Sequence, residues 1–179
     1  MFKASPTSHI YFSQRLRLHY VDWGNDSAPP LLLIHGGRDH CRNWDWVAER
    51  LRDDFHIIAP DLRGHGDSQW MIGGAYSIID YVYDIAQLVR QTKIEPVTVM
   101  GHSLGGSVSL MYTGLYPDSV TKLISIEGMG PIDFAKDNRR FTESCSIGWT
   151  TFANCLAEFQ GAMQRCKMHF IECRRKIHI

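Results

Sequence analysis

The chain has 179 residues, 44% of them hydrophobic, with 19 Lys and Arg balanced by 19 Asp and Glu. This is the composition of one ordinary globular domain and excludes a disordered or low-complexity chain. Net charge near zero gives no electrostatic footprint for nucleic acid or anionic lipid, and no apolar run approaches the roughly 18 residues of a membrane span, so no nucleic acid and no membrane span are expected.

Residues 10–23 form the first recognisable unit. Polar and apolar residues alternate through Arg15, Leu16, Arg17, Leu18, His19 and Tyr20, which predicts a hairpin with one face on a core. After the turn-forming stretch Asn25 to Pro30 comes LLLIHGG, an apolar run closed by Gly36 and Gly37. Being apolar on both faces, it fits the interior of a parallel sheet. Asn43 is placed to cap a short helix ending at Leu51, and FHIIAP is a second buried strand. Ser77 and Asp80 make a capping-box start for a helix with Ile78, Val82, Ile85, Ala86 and Val89 on one face. Strand VTVM, a helix from Leu104 to Tyr116 and strand KLISIE follow. Repeated strand and helix units after a hairpin imply an α/β fold with a doubly wound, mostly parallel sheet.

Charge and cysteines divide the chain near Phe134. Residues 1–134 carry 11 basic and 15 acidic residues, a net of −4, whereas residues 135–179 carry 8 and 4, a net of +4. Cys41 lies in the first part, and Cys145, Cys155, Cys166 and Cys173 lie in the second. Two segments are therefore expected, 1–134 as the core and 135–179 as a basic, cysteine-rich tail. An odd number of cysteines behind an amino terminus without a secretion pattern points to reduced thiols and a cytoplasmic chain.

The chemistry concentrates at Gly101-His102-Ser103-Leu104-Gly105, with Gly106 next, between strand VTVM and a helical pattern. This is the G-x-S-x-G elbow in its required setting. A strand that turns this tightly into a helix leaves no room for side chains at Gly101 and Gly105 and throws the hydroxyl of Ser103 clear of the backbone, as a nucleophile. The Leu104 N–H, first in the helix, has no helical partner and points where an oxyanion would form, with the positive end of the helix dipole behind it. A second donor is expected from the loop after LLLI, with Gly37 the best candidate because no Cβ obstructs its backbone.

LLLIHGG, NWDWVAERL, FHIIAPDLRGHGDS and VMGHSLGG, in this order and spacing, resemble the α/β-hydrolase superfamily over roughly residues 10–134. The serine at the elbow makes the chain similar to the esterase, lipase and carbon–carbon-bond hydrolase branches. Haloalkane dehalogenases and epoxide hydrolases place an aspartate there. The resemblance implies attack of Ser103 on the carbonyl of a small-molecule acyl substrate, an acyl-enzyme held against the Gly37 and Leu104 N–H groups, and hydrolysis by water without a cofactor. It makes Asp61, Arg63 and His65 of DLRGHGDS structural residues of a loop at the top of the sheet.

Such enzymes continue through two further strands that carry the acid and the base histidine, so the resemblance implies a core truncated after about its sixth strand, KLISIE. Glu127, ending that strand, is the possible acid; Asp133 is a weaker one. Downstream histidines are His169 and His178, neither in the setting of the family base, and the sequence assigns no base. His102 is expected to pack or line the pocket, and His35 to be structural. Residues 135–179 read either as the start of a cap or as an aberrant ending. Phe152, Cys155, Leu156, Phe159, Met163, Cys166 and Phe170 recur at helical spacing, which predicts a tail helix over the edge of KLISIE. Cys166, His169 and Cys173 match no zinc spacing, so no metal is expected. Two functions from different classes follow: a serine hydrolase of carboxylic esters or related acyl compounds, and a catalytically silent truncated isoform acting as a binding module.

Overall fold

A computed structural model describes residues 5–74 and 76–128 together with a strand at His169–Ile171. Strands β1 (Thr7–Ser13) and β2 (Leu16–Asp22) pair antiparallel through a two-residue turn. Gln14 and Arg15 take φ of 47° and 68°, the left-handed pair that matches the twist of a tight hairpin. Along β2 the expected alternation holds at Leu16, Arg17 and Leu18. It fails at His19, which is buried because its Nδ1 lies 2.7 Å from the Asp61 carboxylate.

Strands β3 (Pro30–Ile34), β4 (His56–Pro60), β5 (Val97–His102) and β6 (Val120–Ile126) build the parallel part of a sheet in which β2 lies against β4 and β3 lies between β4 and β5. Successive side chains leave opposite faces, and each face has its own helices. Leu31, Leu33, Ile57, Ala59 and Met100 pack with Trp44, Ala48 and Leu51 of the helix α1 (Asp45–Leu51) region. Leu32, Ile34, Ile58 and Val99 pack with α2 (Ile78–Thr92) and α3 (Leu104–Leu115). Central strands apolar on both faces are what this two-sided cover requires.

The helix before β4 starts differently from the expectation. A 3-10 turn at Cys41–Trp44 precedes α1, and the side chain capping it is His40, which accepts from the Arg42 N–H. Asn43 instead donates to the Asp39 carboxylate. The extra turn moves the first winding upstream of Asn43. Helix α2 begins as read: Ser77 accepts from the Asp80 N–H and the Asp80 carboxylate accepts from the Ser77 N–H. At its far end Gln91 reaches β1, where its amide oxygen accepts from the Phe12 N–H and its amide nitrogen donates to the Phe12 carbonyl.

Beyond β6 the sheet gains β7 (His169–Ile171), antiparallel to β6 with Ser125 opposite His169 and Leu123 opposite Ile171. Three positions of the edge expected to lie under a tail helix are thus met by a strand, and Phe170, read as part of a helical stripe, belongs to it. The unpaired N–H and C=O groups of an edge strand favour such pairing. The rest of the stripe, Phe152 to Cys166, lies outside the described residues, as do Asp133 and His178.

The largest fully buried side chain among the described residues is Arg63, which lies between β4 and α2. Its Nε and Nη2 donate to the two Asp84 carboxylate oxygens at 2.6 and 2.7 Å, Nη2 also donates to Gln14 Oε1, and Nη1 stands 3.3 Å from Asp80. Removing one partner of a buried ion pair strands the other charge, which costs more than the pair contributes. Arg63→Ala, leaving Asp84 buried and uncompensated, is expected to lower unfolding free energy by about 3–5 kcal/mol in urea titration.

Candidate active site

The candidate residues meet at the carboxyl ends of β3, β5 and β6. Ser103 connects β5 directly to α3 with φ 51° and ψ −114°, a conformation that non-glycine residues rarely hold. Two contacts fix it: its N–H donates to the Ile126 carbonyl at 2.8 Å, and its own carbonyl accepts from Ser107 N–H in the first turn of α3. The glycines around it are required by main-chain proximity. A Cβ on Gly105 would run into the carbonyl oxygens of Ile34 and His35, and one on Gly101 would meet the Gly105 carbonyl and Ser109 Oγ. Side chains at either position would force α3 off the sheet.

The loop after β3 lies against this elbow. A Cβ on Gly36 would sit 2.9 Å from His102 Nδ1 and 3.3 Å from Ser103 Cβ, so a side chain there would force the His102 ring to shift. Gly37, singled out in the sequence for its missing Cβ, has room for one, at 3.9 Å from Leu104 Cδ2. Gly37 and Leu104 are therefore neighbours, and among the described residues nothing accepts a hydrogen bond from either N–H. The sequence signal for Gly36 was the glycine pair itself.

Glu127 follows Ile126 at the end of β6, with φ 54°. Its Oε2 stands 3.8 Å from His102 Nε2, and both side chains are partly exposed. His102 thus lies between the Gly36 backbone and Glu127. Among the described residues no histidine is hydrogen-bonded to Ser103 Oγ.

His35 is buried, at 1% exposure. Its Nε2 accepts from the Leu62 N–H at 2.9 Å, which leaves Nδ1 as the protonated nitrogen, 2.6 Å from the Gly36 carbonyl. Burial drives its pKa below the ordinary histidine value, helped by nearby His65 and opposed by the Gly36 carbonyl and by Asp61 and Asp39. Asp61 is buried as well. Burial alone would raise its carboxyl, but the N–H groups of Cys41 and Asp67 and the His19 ring outweigh it and hold the acid ionised. His65 Nδ1 lies 3.0 Å from the Arg63 carbonyl.

Among the described residues, two groups bring metal-ligand atoms within 4.8 Å of one another: His19, Cys41 and Asp61, and Asp22, Asp26 and His56. In the first, burial pushes the Cys41 thiol up and keeps it protonated, while both Asp61 oxygens are engaged, so the donors present are those of a hydrogen-bonded core. In the second, His56 Nε2 already faces the Asp22 carboxylate at 3.1 and 3.2 Å.

A sheet of this order, with a strained serine between β5 and a helix and a glycine loop against it, defines the α/β-hydrolase class. Residues 29–176 match the sequence model of the alpha/beta hydrolase fold family, and the chain belongs to that family. The match runs across the composition shift at Phe134. A probable serine hydrolase of Drosophila melanogaster is 39% identical over 111 residues, 61% of this chain and 34% of that protein. A serine hydrolase-like protein of Homo sapiens is 34% identical over 106 residues, 59% of this chain and 52% of that one. The chain thus spans a third to a half of these relatives. A crystal structure of a membrane phospholipase A superposes with a TM-score of 0.69 at 27% identity, covering 79% of this chain and 45% of the other. No helix among the described residues is long and apolar enough to cross a membrane.

Gly105→Ala is expected to cost about 3 kcal/mol, the upper end of ordinary overpacking, because the atoms in the way are main-chain carbonyls. Differential scanning fluorimetry beside Gly114→Ala, where the space is open, separates this clash from a general effect of alanine. For His35 the folded pKa is lowered, so the unfolded chain takes up the proton first as pH falls. The stability tied to neutral His35 is complete above about pH 6.5, the unfolded value, and is lost as pH drops through the folded one. Urea midpoints measured from pH 7.5 to 5 should decline for the parent chain and decline less for His35→Gln.

Proposed function

We propose that the chain carries the nucleophile and oxyanion hole of a serine hydrolase acting on a carboxylic ester or related acyl compound. The observation that carries this reading is the backbone of Ser103, strained at the β5–α3 junction, with the N–H groups of Gly37 and Leu104, which meet no acceptor among the described residues, beside it. Ser103 Oγ attacks the carbonyl carbon, and the oxyanion is held by the two N–H groups. The carbon–oxygen bond to the alcohol breaks, the alcohol leaves with the serine proton, and water releases the acid from the acyl-enzyme. Glu127 is the acid in this reading, placed one residue past the carbonyl that fixes the Ser103 N–H. The names of the fly and human relatives support the same reaction class.

The alternative is a catalytically silent binding module. What favours it is the absence, among the described residues, of an imidazole bonded to Ser103 Oγ, with the nearby His102 facing Glu127. Without a base the hydroxyl is a weak nucleophile, and removing one member of the nucleophile and base unit can leave only about 10³ to 10⁴ of acceleration over water.

A fluorophosphonate probe, followed by peptide mapping, tests the first reading. Labelling is expected at Ser103, slowly for this chain, and is expected to vanish in Ser103→Ala. Labelling of another residue, or labelling unchanged in Ser103→Ala, overturns the reading. Turnover of p-nitrophenyl acetate no faster than that of Ser103→Ala, with Ser103 still labelled, favours the silent module.

A further inference from the structure

Far from the elbow, the β1–β2 hairpin and the segment after β4 bring together three side chains that the proposed function does not use. Ser8 Oγ lies 2.5 Å from His19 Nε2, and His19 Nδ1 lies 2.7 Å from the Asp61 carboxylate. Against the effect of burial, the N–H groups of Cys41 and Asp67 hold Asp61 ionised. A carboxylate only accepts, so the His19 proton is on Nδ1, and Nε2 is left to accept from the Ser8 hydroxyl. The main chain of His19 is fixed as well: its N–H donates to Ser68 Oγ and its carbonyl accepts from the Asp61 N–H. His19 and Asp61 are buried, whereas Ser8 is exposed, so the relay ends in a hydroxyl open to solvent. Four strand spacings, about 19 Å in all, separate β1 from β5, which makes this a place distinct from Ser103.

The main chain around Ser8 limits the chemistry. In a regular antiparallel ladder the N–H and C=O of one residue point to the same side, and alternate residues point to opposite sides. Phe12 gives both groups to Gln91, away from β2, and the register is unbroken from Thr7 to Ser13. Ser8 and Ile10 therefore turn their N–H groups to the outer edge of β1, the outermost described strand on that side of the sheet. Those two groups are about 7 Å apart, too far for both to reach one oxygen at about 3 Å. A serine with a base but without an oxyanion hole suits an acyl donor that releases its leaving group with little help.

From this we propose that Ser8 is a second nucleophile, an acceptor of acyl groups from activated esters such as aryl esters and thioesters, with His19 as its general base and Asp61 holding the ring. Ser8 Oγ bonds to the acyl carbon while its proton passes to His19 Nε2. The bond from that carbon to the leaving oxygen or sulfur breaks, the leaving group departs with the electron pair and takes the proton from Nε2, and His19 returns to its neutral form. The product is an ordinary alkyl ester on Ser8. Its hydrolysis would pass through an oxyanion that no pair of N–H groups holds, so the acyl group stays and the reaction stops at one equivalent. The proposal stands apart from the hydrolase reading of Ser103, and either can fail without the other.

Treatment of Ser103→Ala protein with p-nitrophenyl acetate at neutral pH tests this. Trypsin releases residues 4–15 as one peptide that holds Ser5 as well as Ser8, so fragment masses compare the two hydroxyls within one molecule. General-base assistance contributes about 10² to 10⁴ in rate, and Ser8 is expected to be acetylated at least about 100-fold faster than Ser5. This preference is expected to disappear in denaturing urea and in His19→Gln, whose folding is checked by its unfolding midpoint. If His19→Gln does not fold, the comparison in urea decides. A fluorophosphonate, whose P=O must be polarised before fluoride leaves, is expected to leave Ser8 unlabelled. Acetylation of Ser8 no faster than that of Ser5, or a preference that survives in urea or in folded His19→Gln, overturns the proposal. So does a Ser8 ester that hydrolyses during the assay, or phosphonate labelling of Ser8, since either would reveal an oxyanion hole and a hydrolytic site.

Discussion

Everything at the top of this sheet depends on how closely three pieces of main chain approach one another. Helix α3 begins directly above the last residues of β3, the elbow that starts it is pinned by one N–H to the end of β6, and the loop after β3 lies against the serine. No side chain fits between these backbones at Gly101 or Gly105, and one at Gly36 would press on the His102 ring. The serine is exposed because its neighbours have no room to be anything but glycine, and its strained dihedrals are held by surroundings that over-determine them. The helix dipole and the Leu104 N–H without a helical partner then come without further design, as properties of any helix that starts here.

A second layer beneath the site is made of buried charge. Arg63 faces Asp84 and Asp80, while Asp61 gathers N–H groups from Cys41 and Asp67 and the ring of His19. These bonds join β2, the loop after β3, the segment after β4 and helix α2. A purely apolar contact would let such loops slide. Directional bonds in a dry setting hold them in one arrangement, and the penalty for leaving any partner unmatched penalises the alternatives.

Much of this was legible in the sequence for a physical reason: repeated constraints leave repeated patterns. The two-faced apolar strands, the capping box at Ser77 and Asp80 and the elbow at Ser103 each need particular residue types at fixed spacing, and the structure has the strands, the cap and the elbow in those places. Features set by single long-range partners left no such pattern. His19 reads as an exposed position of a hairpin, and only Asp61, 42 residues away, explains its burial. Asn43 has the chemistry of a cap, but the chain winds one turn earlier. Gly36 and Gly37 look alike in sequence, and only the position of His102 shows which one is crowded. The pairing of His169–Ile171 with β6 is likewise a contact between distant segments, invisible to local periodicity.

Gln91 illustrates how a helix can finish a sheet. Its carboxamide meets both the N–H and the C=O of Phe12 on the side of β1 that faces away from β2. A primary amide has the donor and acceptor of a peptide group, so for that one residue the side chain stands in for a missing neighbouring strand. An incoming chain seeking to extend the sheet would find the rim already taken at Phe12, next to the last residue of β1, and would have to displace a group tethered to a well-packed helix before it could pair there. A single glutamine thereby acts as a stopper against fibrous growth at this border, at the cost of ordering only its own side chain.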